Sequence, residues 1–135
     1  MTKEEVIDLI RDTAWGMLAT TDGHQPHVRP MMPYLTDEGK MIVALLGRSR
    51  TIEHVKKNPL VEICFVDRKM WYARITGKAK ISTNPEAKET LWNNIPMLKQ
   101  YFGGIQDPNF HLMEIDITDA EAMTPHQKQP EKIKF

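Results

Sequence analysis

Where an apolar run at residues 41–46 ends at Gly47, the chain reads Arg48-Ser49-Arg50-Thr51, and these residue types address phosphate. Two guanidiniums and two hydroxyls converge there on the start of an amphipathic stretch at residues 52–57. Ser is a preferred N-cap, and the free first-turn N–H groups of a helix, with the positive end of its dipole, attract anions. Arg adds charge and bidentate hydrogen bonds to a phosphate monoester. The segment is read as the phosphate pocket of a bound cofactor. Ser-capped strand–turn–helix joints and solvated Arg pairs are also common surface features, so the rest of the chain must supply the cofactor's other contacts.

The elements that would position this turn are legible around it. Asn58-Pro59 closes the helix, and a second apolar strand begins at Leu60. Upstream, residues 15–21 read as a strand, Asp22-Gly23 as a turn and residues 27–32 as the partner strand. Pro26, Pro30 and Pro33 interrupt backbone pairing, which places that partner at a sheet edge or a bulge. Asp37-Glu38-Gly39 is a further turn. From Trp71 to Ile81 the odd positions read Trp, Ala, Ile, Gly, Ala, Ile and the even ones Tyr, Arg, Thr, Lys, Lys. Such alternation fits an antiparallel sheet with one buried face, its length suits a curved sheet, and Gly77 offers a bending point.

Helices flank these strands. Val6, Ile7, Leu9 and Ile10 have helical spacing behind a Thr2/Glu5 capping box, and Asn84-Pro85 starts another helix. A Gly/Asp/Pro-rich loop at 103–109 precedes a final strand at 112–117. The expected fold is mainly β, one antiparallel barrel with flanking helices over residues 1–123, followed by a polar tail at 124–135 in which Ile133 and Phe135 are able to dock.

Composition narrows the function. The chain has 135 residues, 41% of them hydrophobic and 27% charged, as expected of a single globular domain. Eighteen basic residues balance eighteen acidic ones, so no global field draws nucleic acid or an anionic membrane. No apolar run approaches the roughly 20 residues of a membrane span, and the N-terminus lacks a signal-peptide layout, so a cytoplasmic location is expected. The single cysteine, Cys64, excludes an intramolecular disulfide and reads as an inert buried thiol. His24, His27, His54, His111 and His126 have no metal-site spacing, and His54 falls on a polar helix face. His27 shares a strand face with Arg29 and is the one acid–base candidate, with a structural role as the simpler alternative.

Three segments resemble the FMN-binding split-barrel family related to pyridoxamine 5′-phosphate oxidase, and within it the general stress protein 26 group. GMLATTDGHQPHVRPM (16–31) is similar to the opening hairpin, LGRSRTIEHVKKNP (46–59) to the phosphate-binding turn and helix, and Leu91-Trp92 with FGGIQDPNFHL (102–112) to the later part. The likeness covers most of residues 1–117 through short motifs in the family order.

The resemblance implies an antiparallel split barrel and bound FMN. It assigns Arg29 to the phosphate, Pro30 and Met31 to the backbone beside the flavin ring, and Ser49, Arg50 and Thr51 to the phosphate turn. Lys56 or Lys57 would add charge, although adjacent helix residues do not share a face. Trp71 and Arg74 match a strand that reaches the flavin of a partner subunit, which implies a homodimer; plain core is the alternative for Trp71. No arginine follows Arg74, so the substrate arginine of true pyridoxamine 5′-phosphate oxidases has no match and vitamin B6 oxidation is not expected.

The expected function is that of an FMN-dependent oxidoreductase whose catalytic residues are unassigned, using NAD(P)H or a small redox substrate. With no Gly-x-Gly-x-x-Gly pattern, a nicotinamide donor would bind transiently. The alternatives are a flavin-binding or sensing module without turnover, a haem- or deazaflavin-binding split barrel, and a cofactor-free structural domain.

Overall fold

The computed structural model describes residues 1–135. Its strands are β1 (Gly16–Thr20), β2 (His27–Met31), β3 (Tyr34–Leu35), β4 (Lys40–Leu46), β5 (Leu60–Val66), β6 (Tyr72–Ser82), β7 (Phe110–Met123) and β8 (Glu131–Lys132). The helices are α1 (Lys3–Thr13), α2 (Arg50–Lys57), α3 (Pro85–Asn94) and α4 (Leu98–Tyr101). All pairings are antiparallel, in the order β2-β1-β5-β6-β7-β4-β3, with β8 added to β7. The path ends at β2 and β3, which each pair on one side only. That edge position accommodates Pro30, since one side of an edge strand carries no ladder bonds.

Strand alternation builds the barrel core. Leu18, Met41, Val43, Ile63, Phe65, Ile75, Met113 and Ile115 face inward and are almost completely buried, and α1 closes one side with Val6, Leu9 and Ile10. The capping box that starts α1 is formed in both directions between Thr2 and Glu5. A second apolar layer covers the outside of β4 and β7. Ile42, Phe110 and Leu112 meet Leu91, Ile95, Leu98 and Phe102 there, so this part of the sheet is buried on both faces.

The last long strand runs to Met123, six residues beyond the expected 112–117. Register explains the difference. Gly77 pairs with Ile117 but Thr76 pairs with Asp119, so Thr118 is an extra residue in β7. Such a bulge moves the inward phase by one, from Met113, Ile115 and Ile117 to Ala120 and Ala122, and a strict two-residue period loses the strand at that point. Gly77 is required there, since a Cβ would lie 2.5 Å from the Asp116 carbonyl oxygen.

Residues 124–135 pack against the barrel: β8 pairs with β7, the Ile133 N–H donates to the Ala120 carbonyl at 2.8 Å, and Ile133 and Phe135 dock on the core. Two further expectations change. Asp22-Gly23 belongs to a wide loop between β1 and β2, because the register pairs Thr20 with His27. Cys64 faces outward, half-buried between Met17 and Arg74, because the inward phase of β5 falls on Val61, Ile63 and Phe65. Burial still pushes its thiol pKa up from the ordinary value.

Candidate functional site

The split between β2 and the end of β4 holds a cavity of about 450 Å³. Residues 27–31 line one side, Ala44–Leu46 the other, and Ser49, Arg50 and Thr51 at the start of α2 form one end. The end of α3 and α4 with its flanking residues supply an apolar wall that includes Ile95, Leu98, Tyr101 and Phe102. The cavity is thus apolar along most of its length and cationic at one end. No carboxylate, thiol or amine lines it.

The cationic end is built from two elements. Ser49 holds the N-cap position with extended backbone (φ −72°, ψ 147°), but its side chain makes no capping bond. Its Oγ is buried and has no hydrogen-bond partner. A buried orphan hydroxyl is uncommon and disfavoured, so an additional ligand atom is the natural partner. Thr51 beside it is buried. Gly47 permits the chain to turn into this position, since a Cβ there would sit 2.8 Å from His111 Nε2.

Arg29 reaches in from β2. Its Nη1 donates to Thr20 Oγ1 at 2.6 Å and to the carbonyls of Leu18 (3.2 Å) and His27 (3.3 Å). Arg50 Nη1 lies 2.7 Å from His27 Nδ1. Neither guanidinium is paired with a carboxylate. Burial, with Arg50 nearby, lowers the pKa of Arg29 from its ordinary value, as expected where positive charge is uncompensated.

His54 departs from its expected place on a polar face. It is buried, with Nδ1 2.8 Å from Thr20 Oγ1 and its ring 5.4 Å from that of His27. The face of α2 that packs on the barrel includes position 54, and the Thr20 hydroxyl satisfies the ring there. Sequence patterning missed Thr20, because one hydroxyl among apolar strand residues carries no signal of its own. It also missed the α3–α4 wall, because apolar side chains carry no signal of a cavity on their own.

Of the residues expected at the site, Arg29, Pro30, Met31, Ser49, Arg50 and Thr51 line one cavity. Lys56 and Lys57 do not join them. Both are exposed in the last turn of α2, roughly 10 Å along the axis from its start at a rise of about 1.5 Å per residue. Trp71 and Arg74 also lie outside this cavity. Arg74 pairs with Glu121 and packs against the Tyr72 ring on the outer sheet face, and Trp71 is half-buried just before β6. No group of three His, Cys, Asp or Glu side chains is arranged to hold a metal ion, and no helix is long and apolar enough to cross a membrane.

A split antiparallel barrel with flanking helices and a cavity in the split defines the structural class. The match of residues 1–131 to the family described as pyridoxamine 5′-phosphate oxidase like gives the kinship, and the chain belongs to that family. General stress protein 26 of Bacillus subtilis (strain 168) is 29% identical over 140 residues, covering 98% of this chain and 96% of that one. The crystal structure of general stress protein 26 from Bacillus anthracis str. Sterne superimposes with a TM-score of 0.83 at 25% identity, covering 98% of both chains. The general stress FMN/FAD binding protein of Xanthomonas citri has the same split-barrel fold, with a TM-score of 0.80 at 22% identity over 98% of this chain and 95% of that one.

Proposed function

We propose that this chain binds FMN in the cavity, with the phosphate at the start of α2 and the ring along β2, and acts as a homodimeric flavin-dependent oxidoreductase. The observation that carries the reading is the buried, unpartnered Ser49 Oγ beside two guanidiniums that no carboxylate neutralises. Ser49, Thr51 and the α2 N–H groups would donate to phosphate oxygens, and Arg29 and Arg50 would supply the countercharge. A solved neighbour named as FMN/FAD binding supports the flavin class, and the phosphate-directed end favours FMN within it.

When bound, the flavin supplies the electron chemistry. The residues of this chain bind and orient it. Pro30 and Met31 would flank the ring with backbone and side chain, while Leu98, Tyr101 and Phe102 would keep water from one side. With no carboxylate, thiol or amine in the lining, His27 is the one side chain there suited to acid–base chemistry near neutral pH. That same absence supports a second reading, a flavin-binding or sensing module without turnover. Anaerobic reduction of the flavin by NADPH or NADH separates the two.

The outer face of β1, β5 and β6 fits a second copy of the chain. Met17 and Val66 are about half exposed there, Cys64 lies between them, and Tyr72 and Arg74 continue the face. Apolar, aromatic and Arg side chains of this kind are enriched at interface cores. A partner seated there would receive Trp71 and Arg74, which this chain's own cavity leaves unused. The direct test of the phosphate-directed site is equilibrium titration with FMN and with riboflavin. Loss of the phosphate should weaken binding about a hundredfold or more, from charge-assisted bonds of ~1.5–3 kcal/mol each. Equal affinities would refute it.

A further inference from the structure

His27 lines the cavity and has no part in the phosphate motif of α2, yet Arg50 Nη1 sits 2.7 Å from its Nδ1 and 3.3 Å from its Nε2. A guanidinium only donates, so the ring nitrogen facing Arg50 must be an unprotonated acceptor and the imidazole neutral. The surroundings favour that state. His27 faces Arg50 and His54 from α2, Arg29 on its own strand and one acidic group, Asp22, in the loop after β1. Burial first, then Arg50, His54 and Arg29, lower its pKa from the ordinary value, against Asp22. The opposite wall, residues 95–102, brings no charged side chain into the cavity.

A phosphate dianion at this end counters the positive charges of Arg50 and Arg29 that hold the ring neutral, and this attraction must outweigh the burial. Arg50 would then turn its fork to the phosphate oxygens and leave the histidine nitrogen free. The negative charge then favours the imidazolium, which donates where the neutral ring accepted. We propose that His27 is a phosphate ligand of this site, which accepts from Arg50 in the free protein and takes a proton from solvent as the phosphate monoester binds. The proposal rests on the reading that the cavity takes a phosphate ester, and adds a residue and a proton to it.

The sign of the proton exchange is diagnostic. The second phosphate ionisation lies near about pH 6, so at pH 7.5 the free ligand is almost entirely dianion and proton uptake on binding belongs to the protein. Isothermal titration at pH 7.5, in two buffers of different ionisation enthalpy, should show uptake approaching one proton with FMN and none with riboflavin. FMN affinity should tighten from pH 8.5 to 6.5. His27→Gln keeps an amide of similar reach but does not titrate. It should abolish the uptake, flatten the pH profile and weaken FMN by about tenfold or more, the worth of one charge-assisted bond. Its riboflavin affinity should fall far less than its FMN affinity, which ties the effect to the phosphate. A phosphate-dependent affinity without proton uptake, or uptake that survives His27→Gln, overturns this role alone. Failure of the wild-type chain to bind FMN overturns the proposed function and this role with it.

Discussion

Thr20 Oγ1 lies 2.8 Å from His54 Nδ1, and this contact ties a barrel strand to the helix that ends the cavity. The same oxygen accepts from Arg29 Nη1 at 2.6 Å, so one strand hydroxyl fixes α2 and a phosphate-directed guanidinium together. Its own proton is then free to point at the histidine nitrogen.

Thr20→Val keeps the shape of the side chain and removes that hydroxyl. His54, which is buried, is left without its partner, and Arg29 loses its shortest hydrogen bond. The expected cost is about 1–3 kcal/mol, the penalty of an unsatisfied buried polar group. Urea denaturation should show a lower midpoint with an unchanged slope. FMN affinity should fall more than riboflavin affinity, because Arg29 is no longer held toward the phosphate.

Arg50→Ala should empty the flavin site and leave the barrel folded. Arg50 is exposed, and the only side chain it bonds is His27, so its loss costs the fold little. Arg50→Lys should restore binding in part, since an ammonium lacks the planar fork. The readout is the visible absorbance of the purified variants beside their thermal unfolding. An alanine variant that retains flavin in full would show Arg50 to be ordinary surface.

Lys56→Ala and Lys57→Ala, singly or together, should change FMN affinity by no more than about twofold. Both are exposed in the last turn of α2, away from the cavity, and surface substitutions of this kind usually stay within about 0.5 kcal/mol. A tenfold loss at either position would mean that the helix end reaches the phosphate after all. Titration of the three variants with FMN decides this.

The parts of the fold that follow one local rule were legible in the residues. The Thr2/Glu5 box, the edge position implied by Pro30, the alternation along β6 and the Ser49 turn all depend on near neighbours. What escaped depends on contacts distant in sequence. The bulge at Thr118 changes the phase of β7, and only the pairing with Gly77 reveals it. His54 looks polar until its partner Thr20 is brought 34 positions across the chain. The apolar wall of the cavity is core by pattern. It becomes site only because α3 and α4 stop beside the split.

The arrangement of Trp71 and Arg74 leads to the last expectation. Neither lines the cavity of its own chain, yet Arg74 stands on an outer sheet face where Met17 and Val66 are left about half exposed. If two copies meet through that face, flavin binding and assembly are linked, since a ligand held by both chains stabilises the dimer by mass action. Sedimentation across a dilution series should then show a dimer that loosens when flavin is removed. Val66→Glu places a charge on this face without touching the core, because position 66 points outward. It should shift the protein to monomer and weaken FMN binding together, with thermal unfolding little changed. A Val66→Glu monomer that holds FMN as tightly as the wild type would confine the site to a single chain.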